Sequence, residues 1–217
     1  IATIKSWNID NAKKLIKNQN KIKINLITNK KDLSCERIKK INPDYIFFIH
    51  WSWIIQESIY QNYECVLFHM TDLPYGRGGR LLQNLIVRGH KKAKISAIRV
   101  CEIVDGGDIY FKESLDLHGT ADEILIRASE KIFKNMIPKI IYKNIKPKPQ
   151  QGEVKKFSRR TPRDGKLSKN MSMEEIYDYI RMLDGEGYPN AYIEFGTYKI
   201  KFKRASLKNR KIIATAE

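Results

Sequence analysis

Cys65-Val-Leu-Phe-His-Met-Thr-Asp-Leu-Pro-Tyr-Gly-Arg-Gly-Gly79 starts as an apolar strand and runs into a loop rich in proline and glycine. The run Cys65 to Phe68 is apolar without alternation, as in a parallel strand covered on both faces. His69 stands at its end. Leu73-Pro74 and the three glycines that follow cannot continue regular structure. Val104-Asp-Gly-Gly-Asp108 then forms a turn between two strand-like runs, Lys94 to Cys101 and Asp108 to Lys112. A histidine at a strand end with an aspartate in a nearby turn suits acyl transfer. Imidazole moves protons near neutral pH, and a carboxylate within reach orients it.

Working outward, Ile1 to Ile4, Lys21 to Ile27 and Tyr45 to Ile49 read as further strands. Asp10 to Lys17 reads as a helix, and Asp32 as the cap of one carrying Leu33, Ile38 and Ile41. Leu81 to Arg88 is a third helix. Thr120 to Lys143 is a long amphipathic fourth, with Thr120 and Glu123 as a capping box. Strand alternating with helix predicts an α/β fold, a Rossmann-like and mostly parallel sheet flanked by helices. Ligands of such sheets sit beyond the carboxyl ends of the strands. His50, His69 and Lys5 to Asn8 all lie just past strand ends, and Asp105 lies in a turn, so these candidates converge on one sheet edge.

Ile145-Lys-Pro-Lys-Pro-Gln-Gln-Gly152 reads as a linker. A basic, loop-rich stretch with Arg159 and Arg160 follows. Then Ser172 and Glu175 box the start of a helix whose apolar face holds Ile176, Tyr179, Ile180 and Leu183. Ala191 to Phe195 and Tyr198 to Phe202 read as a β-hairpin. The expected organisation is a catalytic domain over 1–145, a linker and basic loop over 146–170, and a small helix-and-hairpin subdomain over 171–217. The hairpin edge could also serve a homodimer contact.

The chain has 217 residues, 42% of them apolar, enough for a packed core. No apolar run nears the ~18 to 20 residues that span a bilayer, so no membrane partner is expected. Cys35, Cys65 and Cys101 stand without CxxC spacing, as incidental free thiols do in a reducing cytoplasm. No metal-ligand spacing occurs, and no metal is expected. The net charge of +17 would suit a polyanion. The lysines are spread along the whole chain, however, with no nucleic-acid-binding signature, which disfavours nucleic acid as the partner.

The two quoted segments resemble the formyltransferases that use 10-formyltetrahydrofolate. The family pattern reads Asn-x-His-x-Ser-x-Leu-Pro-x-x-Arg-Gly, then Asp-x-Gly. His69, Leu73, Pro74, Gly78 and Asp105-Gly106-Gly107 match it, while Leu67 stands where the pattern has asparagine. The resemblance implies that His69 and Asp105 are catalytic, and that 10-formyltetrahydrofolate is the co-substrate. Trp51, Trp53, Ile54, Cys101, Val104 and Gly106 would line its pterin pocket. Formyl transfer must also stabilise an oxyanion, so Asn8 or Asn84 is expected to stand in for the missing amide. Trp7-Asn8, His50-Trp-Ser52, Phe68 to Pro74, Leu82 to Ile86, Arg159 to Pro162 and Ile180 to Pro189 extend the likeness over nearly the full length. They resemble the branch that N-formylates UDP-linked 4-amino-4,6-dideoxy sugars related to pseudaminic acid, as in surface polysaccharide biosynthesis. On that reading Arg77, Gly78, Arg159, Arg160 and Tyr188 hold a UDP-amino sugar. The alternatives are a methionyl-tRNA formyltransferase-like enzyme, whose carboxyl-terminal barrel is usually longer, and a non-enzymatic basic nucleic-acid-binding module.

Overall fold

The computed structural model describes residues 1–18 and 21–217. The chain forms two compact units that interleave in sequence. One holds Ile1–Arg77, Lys94–Leu115 and Ile126–Lys155, and the other holds Gly78–Ala93, Asp116–Leu125 and Lys156–Glu217.

The fold is α/β, with a parallel-containing sheet flanked by helices. Four strands order as β1 (Tyr45–Phe48), β2 (Glu64–His69), β4 (Lys92–Arg99) and β5 (Ile109–Asp116), with β3 (Tyr75–Gly78) lying outside that sheet. β1 and β2 are parallel, with Phe48 opposite Leu67. β4 runs antiparallel to β2, with Ser96 opposite His69. Of the strands expected over Ile1 to Ile4 and Lys21 to Ile27, the ladder keeps single residues. Ala2 bridges Ile27 and Phe48, and the described residues between carry no strand pairing. Apolar alternation alone did not secure a partner there.

The first unit is built around Ala2, Ile27, Ile38, Ile46, Phe48, Ile59 and Cys65. Helix α1 (Ser6–Asn18) starts four residues before the expected Asp10, so Asn8 lies inside its first turn. Helix α2 (Cys35–Ile41) is capped by Ser34, which accepts from the Arg37 N–H at 3.2 Å, while Asp32 sits in a separate 3-10 turn. The short α3 (Glu57–Tyr60) carries buried Ile59 into the core. Thr120 and Glu123 close the expected capping box before α5 (Ala121–Lys131). The long helix is interrupted by a π-helical segment over Ile132–Met136 before α6 (Ile137–Lys143).

The second unit carries α4 (Leu81–Ile86), α7 (Met173–Leu183) and a three-stranded antiparallel sheet. Its strands are β7 (Ala191–Phe195), β8 (Tyr198–Lys208) and β9 (Lys211–Ala216), and the last of them was not read from the sequence. Ser172 and Glu175 box α7 as expected. Arg181, buried on α7, is neutralised by Asp178 at 2.6 Å and donates to the carbonyls of Leu117 and Gly119. Such a fully bonded buried charge holds elements in place, whereas an unpaired one would be costly. Between α6 and α7, β6 (Lys155–Phe157) pairs with β3 in a two-stranded ribbon. Among the described residues no helix is long and apolar enough to cross a membrane.

Candidate functional site

His69 closes β2, buried, with both ring nitrogens engaged. Nδ1 lies 3.3 Å from an Asp105 carboxylate oxygen, and Nε2 lies 2.8 Å from the carbonyl of Gly76. Both neighbours are acceptors. A neutral imidazole has one donor and one acceptor nitrogen, so the neutral ring gives up one contact. The loop that delivers Gly76 is held by buried hydroxyls the sequence reading passed over. Ser96 donates to the Thr71 carbonyl at 2.7 Å, and Thr71 donates to the Gly76 carbonyl at 3.3 Å. Lys112 bridges the Asp72 carboxylate and the Leu73 carbonyl, and Lys94 joins it on Asp72 at 2.9 Å. Partial burial would raise the Asp72 carboxyl, but bonding to the two lysines outweighs it and holds the group below its ordinary value.

Asp105 adopts φ +56°, the left-handed region that non-glycine residues enter at a cost. The turn around it is tight. A Cβ on Gly107 would fall 1.8 Å from the Arg99 carbonyl, so only glycine fits. Gln150 fastens this turn. Its Nε2 donates to the carbonyls of Asp105 and Gly107 at 2.8 and 2.9 Å, and its Oε1 accepts from Arg77 at 3.2 and 2.7 Å. Arg77, expected to touch substrate, is therefore engaged in bracing the aspartate turn. Gln150, from the stretch read as a plain linker, was missed because nothing in its local sequence marks a long-range clamp. Gln150→Ala is expected to lower turnover ~10-fold through loss of Asp105 placement, since small displacements of catalytic groups are costly. Steady-state kinetics on the purified variant checks this, and an unchanged kcat would show that the turn holds itself.

His50 follows β1 with φ +49°. As a residue it is partly exposed, yet both ring nitrogens face buried partners. Asn8 Nδ2 lies 2.9 Å from Nδ1, and Met70 Sδ lies 3.4 Å from Nε2. Burial, helped by the Lys5 charge, lowers its pKa to about 4. The unfolded chain would protonate near pH 6.5. Between these values the unfolded state binds more protons, so stability is full above pH 6.5 and falls as the pH drops toward 4. The expected loss is ~3 kcal/mol across that window. Urea titrations at pH 7 and pH 4.5 should show it, and His50→Gln should flatten the difference.

Asn8 spends its amide hydrogens on His50 and on Thr3 Oγ1 at 2.9 Å, leaving its own buried oxygen without a partner. Trp51 is half-buried, stacks edge-on against Trp53 at 5.0 Å, and has a buried, unbonded indole N–H. Ile54 is 88% exposed and Val104 67%, with Ile103 also out in solvent. Cys101 donates to the Ile103 carbonyl at 3.4 Å and Gly106 N–H to the same oxygen at 2.9 Å. A hollow of about 820 Å³ around Tyr45, Glu64 and Arg99 lies at the amino ends of β1 and β2, and none of the candidate residues lines it. Its Glu64–Arg99–Tyr110 network is bonded within itself.

The remaining candidates belong to the second unit. Asn84 donates to the carbonyls of Gly79, Arg80 and Ser158 at 3.2, 3.2 and 2.9 Å, and its own oxygen accepts from Arg88 at 2.7 Å. That amide is committed to backbone. Gly78 has φ +111°, and a Cβ there would come within 2.7 Å of the Phe157 carbonyl. Arg160 donates to the Asp164 carbonyl at 2.8 Å and lies over the Tyr179 ring; Arg159 is exposed nearby. Arg80 lies over Tyr188 at 5.7 Å. Tyr188, Tyr192, Pro162, Lys199 and Lys201 line a hollow of about 270 Å³, where the Lys199 ammonium sits 3.6 Å from the Tyr192 ring centroid. Among the described residues no three His, Cys, Asp or Glu side chains group as metal ligands would.

Residues 162–217 match the family described as "Methionyl-tRNA formyltransferase, C-terminal domain". Over its whole length the chain is similar to the solved "Methionyl-tRNA formyltransferase from Clostridium thermocellum". The identity is 57% and the TM-score 0.97, covering 100% of this chain and 96% of that one. It is 27% identical over 182 residues to a "Methionyl-tRNA formyltransferase" of Sulfurihydrogenibium sp., covering 79% of this chain and 57% of that relative. The chain thus spans less than two thirds of the curated relatives' length. A sugar N-formyltransferase from Shewanella sp. shares the fold at TM-score 0.72 but only 15% identity, covering 94% of this chain and 95% of that one. These findings overturn the expectation of a UDP-amino sugar substrate and partner. The segments that carried that likeness lie in a chain far closer to a protein named for methionyl-tRNA. The reading that disfavoured nucleic acid, drawn from the even spread of lysine, is corrected with it.

Proposed function

Because the chain belongs to the methionyl-tRNA formyltransferase family, we propose that it moves a formyl group from 10-formyltetrahydrofolate to the amine of methionyl-tRNA. The single observation carrying this reading is the buried His69–Asp105 pair at 3.3 Å. In this reading the amine's lone pair attacks the formyl carbon, and His69 takes the proton it sheds. Asp105 keeps Nδ1 oriented and favours the charged ring that results. Nε2 is the working nitrogen, released from the Gly76 carbonyl to receive the proton. His69 then returns that proton to the folate nitrogen as its bond to carbon breaks, so the ring ends as it began. Trp51, Trp53, Ile54, Cys101, Val104 and Gly106 offer apolar wall and backbone donors to a flat pterin. The exposure of Ile54 and Val104 and the unbonded Trp51 N–H fit such a guest.

The charge of +17 suits a phosphate backbone. Arg159 and Arg160 serve as phosphate donors, and the half-buried Tyr188, in a hollow that Lys199 and Lys201 also line, offers an aromatic side chain to a base. The test is to incubate the protein with 10-formyltetrahydrofolate and methionyl-tRNA, deacylate the tRNA, and look for N-formylmethionine by mass spectrometry. Its appearance is expected, with a rate falling steeply as salt rises. Its absence under low salt would overturn the proposal.

A further inference from the structure

Formyl transfer places negative charge on the formyl oxygen as the tetrahedral centre forms, and a pre-placed hydrogen-bond donor is the usual remedy. Leu67 shares His69's face of β2 but has no donor to give. Asn84 has spent its amide on three carbonyls, and Asn8 has spent both hydrogens, so neither asparagine can serve. His50 is differently placed. β1 and β2 are parallel and pair up to Phe48 opposite Leu67, and His50 follows the end of β1 by two residues, at the same carboxyl edge of the sheet that His69 closes. Its ring also reaches Met70, the residue after His69. Asn8 donates to His50 Nδ1, which fixes the proton on Nε2. Among the described residues that N–H meets only a thioether sulfur at 3.4 Å, a weak acceptor that a developing oxyanion would outcompete.

We propose that His50, held as the neutral Nε2–H tautomer by Asn8, donates to the oxyanion in place of the side chain Leu67 lacks. The assignment rests on the formyl-transfer reading above. Neutrality matters for the role. A neutral imidazole donates without giving up its proton, so it does not compete with His69 as the acid. Burial of the ring, with the Lys5 charge beside it, disfavours its charged form. Asn8 is then a positioning residue, acting through His50.

Two measurements test this. The first needs no turnover. Nitrogen-15 NMR of His50 at pH 6 should show a neutral ring with the proton on Nε2, and that proton should move to Nδ1 or become mobile in Asn8→Ala. A charged ring, or a proton on Nδ1 in the wild type, would overturn the proposal. The second compares His50→Leu with His50→Gln. His50→Leu should lower kcat ~100-fold, the scale of one lost oxyanion donor, with folate affinity by calorimetry unchanged. His50→Gln, which keeps an N–H, should recover most of that loss. An active wild type with an equally active His50→Leu would sink the His50 role alone. A wild type that makes no formylmethionine would sink the formyl-transfer reading and the His50 role with it.

Discussion

His69→Asn is expected to lower formyl transfer by ~100- to 10,000-fold, the range attributed to a well-placed general acid–base, while 10-formyltetrahydrofolate still binds. The substitution keeps an amide near the position of Nδ1, where Asp105 can still accept from it. What it removes is a group able to take and return a proton near neutral pH. The loss should therefore fall on kcat and leave the folate dissociation constant within about threefold, since an interaction made only in the transition state does not hold the ground state. Single-turnover kinetics beside calorimetry separates these quantities. Near-wild-type turnover would remove His69 from the mechanism, and loss of folate binding would assign it to the pocket instead.

Asp105→Ala should cost activity on the same scale. Two contributions are lost at once. The carboxylate 3.3 Å from His69 no longer orients the ring, and a residue tolerated at φ +56° gives way to one that is not. Asp105→Asn separates them, because asparagine accepts the left-handed backbone but carries no charge. If charge is the larger effect, Asp105→Asn should be nearly as slow as Asp105→Ala. If turn geometry is, Asp105→Asn should recover. The double variant His69→Asn, Asp105→Ala should be no slower than the worse single variant, as groups acting as one unit behave. A loss equal to the product of the two would show independent roles.

The parts of this molecule legible in sequence were those with short-range chemistry. His69 ends an apolar strand, and Asp105 is followed at once by two glycines. The capping boxes at Thr120 and Ser172 each lie within three residues of their partners. What escaped reading depends on distance along the chain. Gln150 reaches back 45 residues to the Asp105 carbonyl, and Ser96 spans 25 to Thr71. Neither leaves a local pattern. Lys21 to Ile27 alternated as a strand should, yet pairing is decided by a neighbour the alternation does not name. The acceptor was misread because the same basic and aromatic residues suit a nucleotide sugar and a nucleic acid alike. Arg159, Arg160 and Tyr188 can contact a diphosphate and uracil or a tRNA backbone and base with one chemistry. Only likeness across the whole chain separated the two.

The most direct measurement is single-turnover release of tetrahydrofolate, followed by absorbance after mixing enzyme, 10-formyltetrahydrofolate and methionyl-tRNA. A single absorbance change is expected that requires methionyl-tRNA, has the amplitude of the limiting substrate and slows ~100-fold or more in His69→Asn. A change of equal rate in His69→Asn, or one indifferent to methionyl-tRNA, would contradict the role of His69 in formyl transfer.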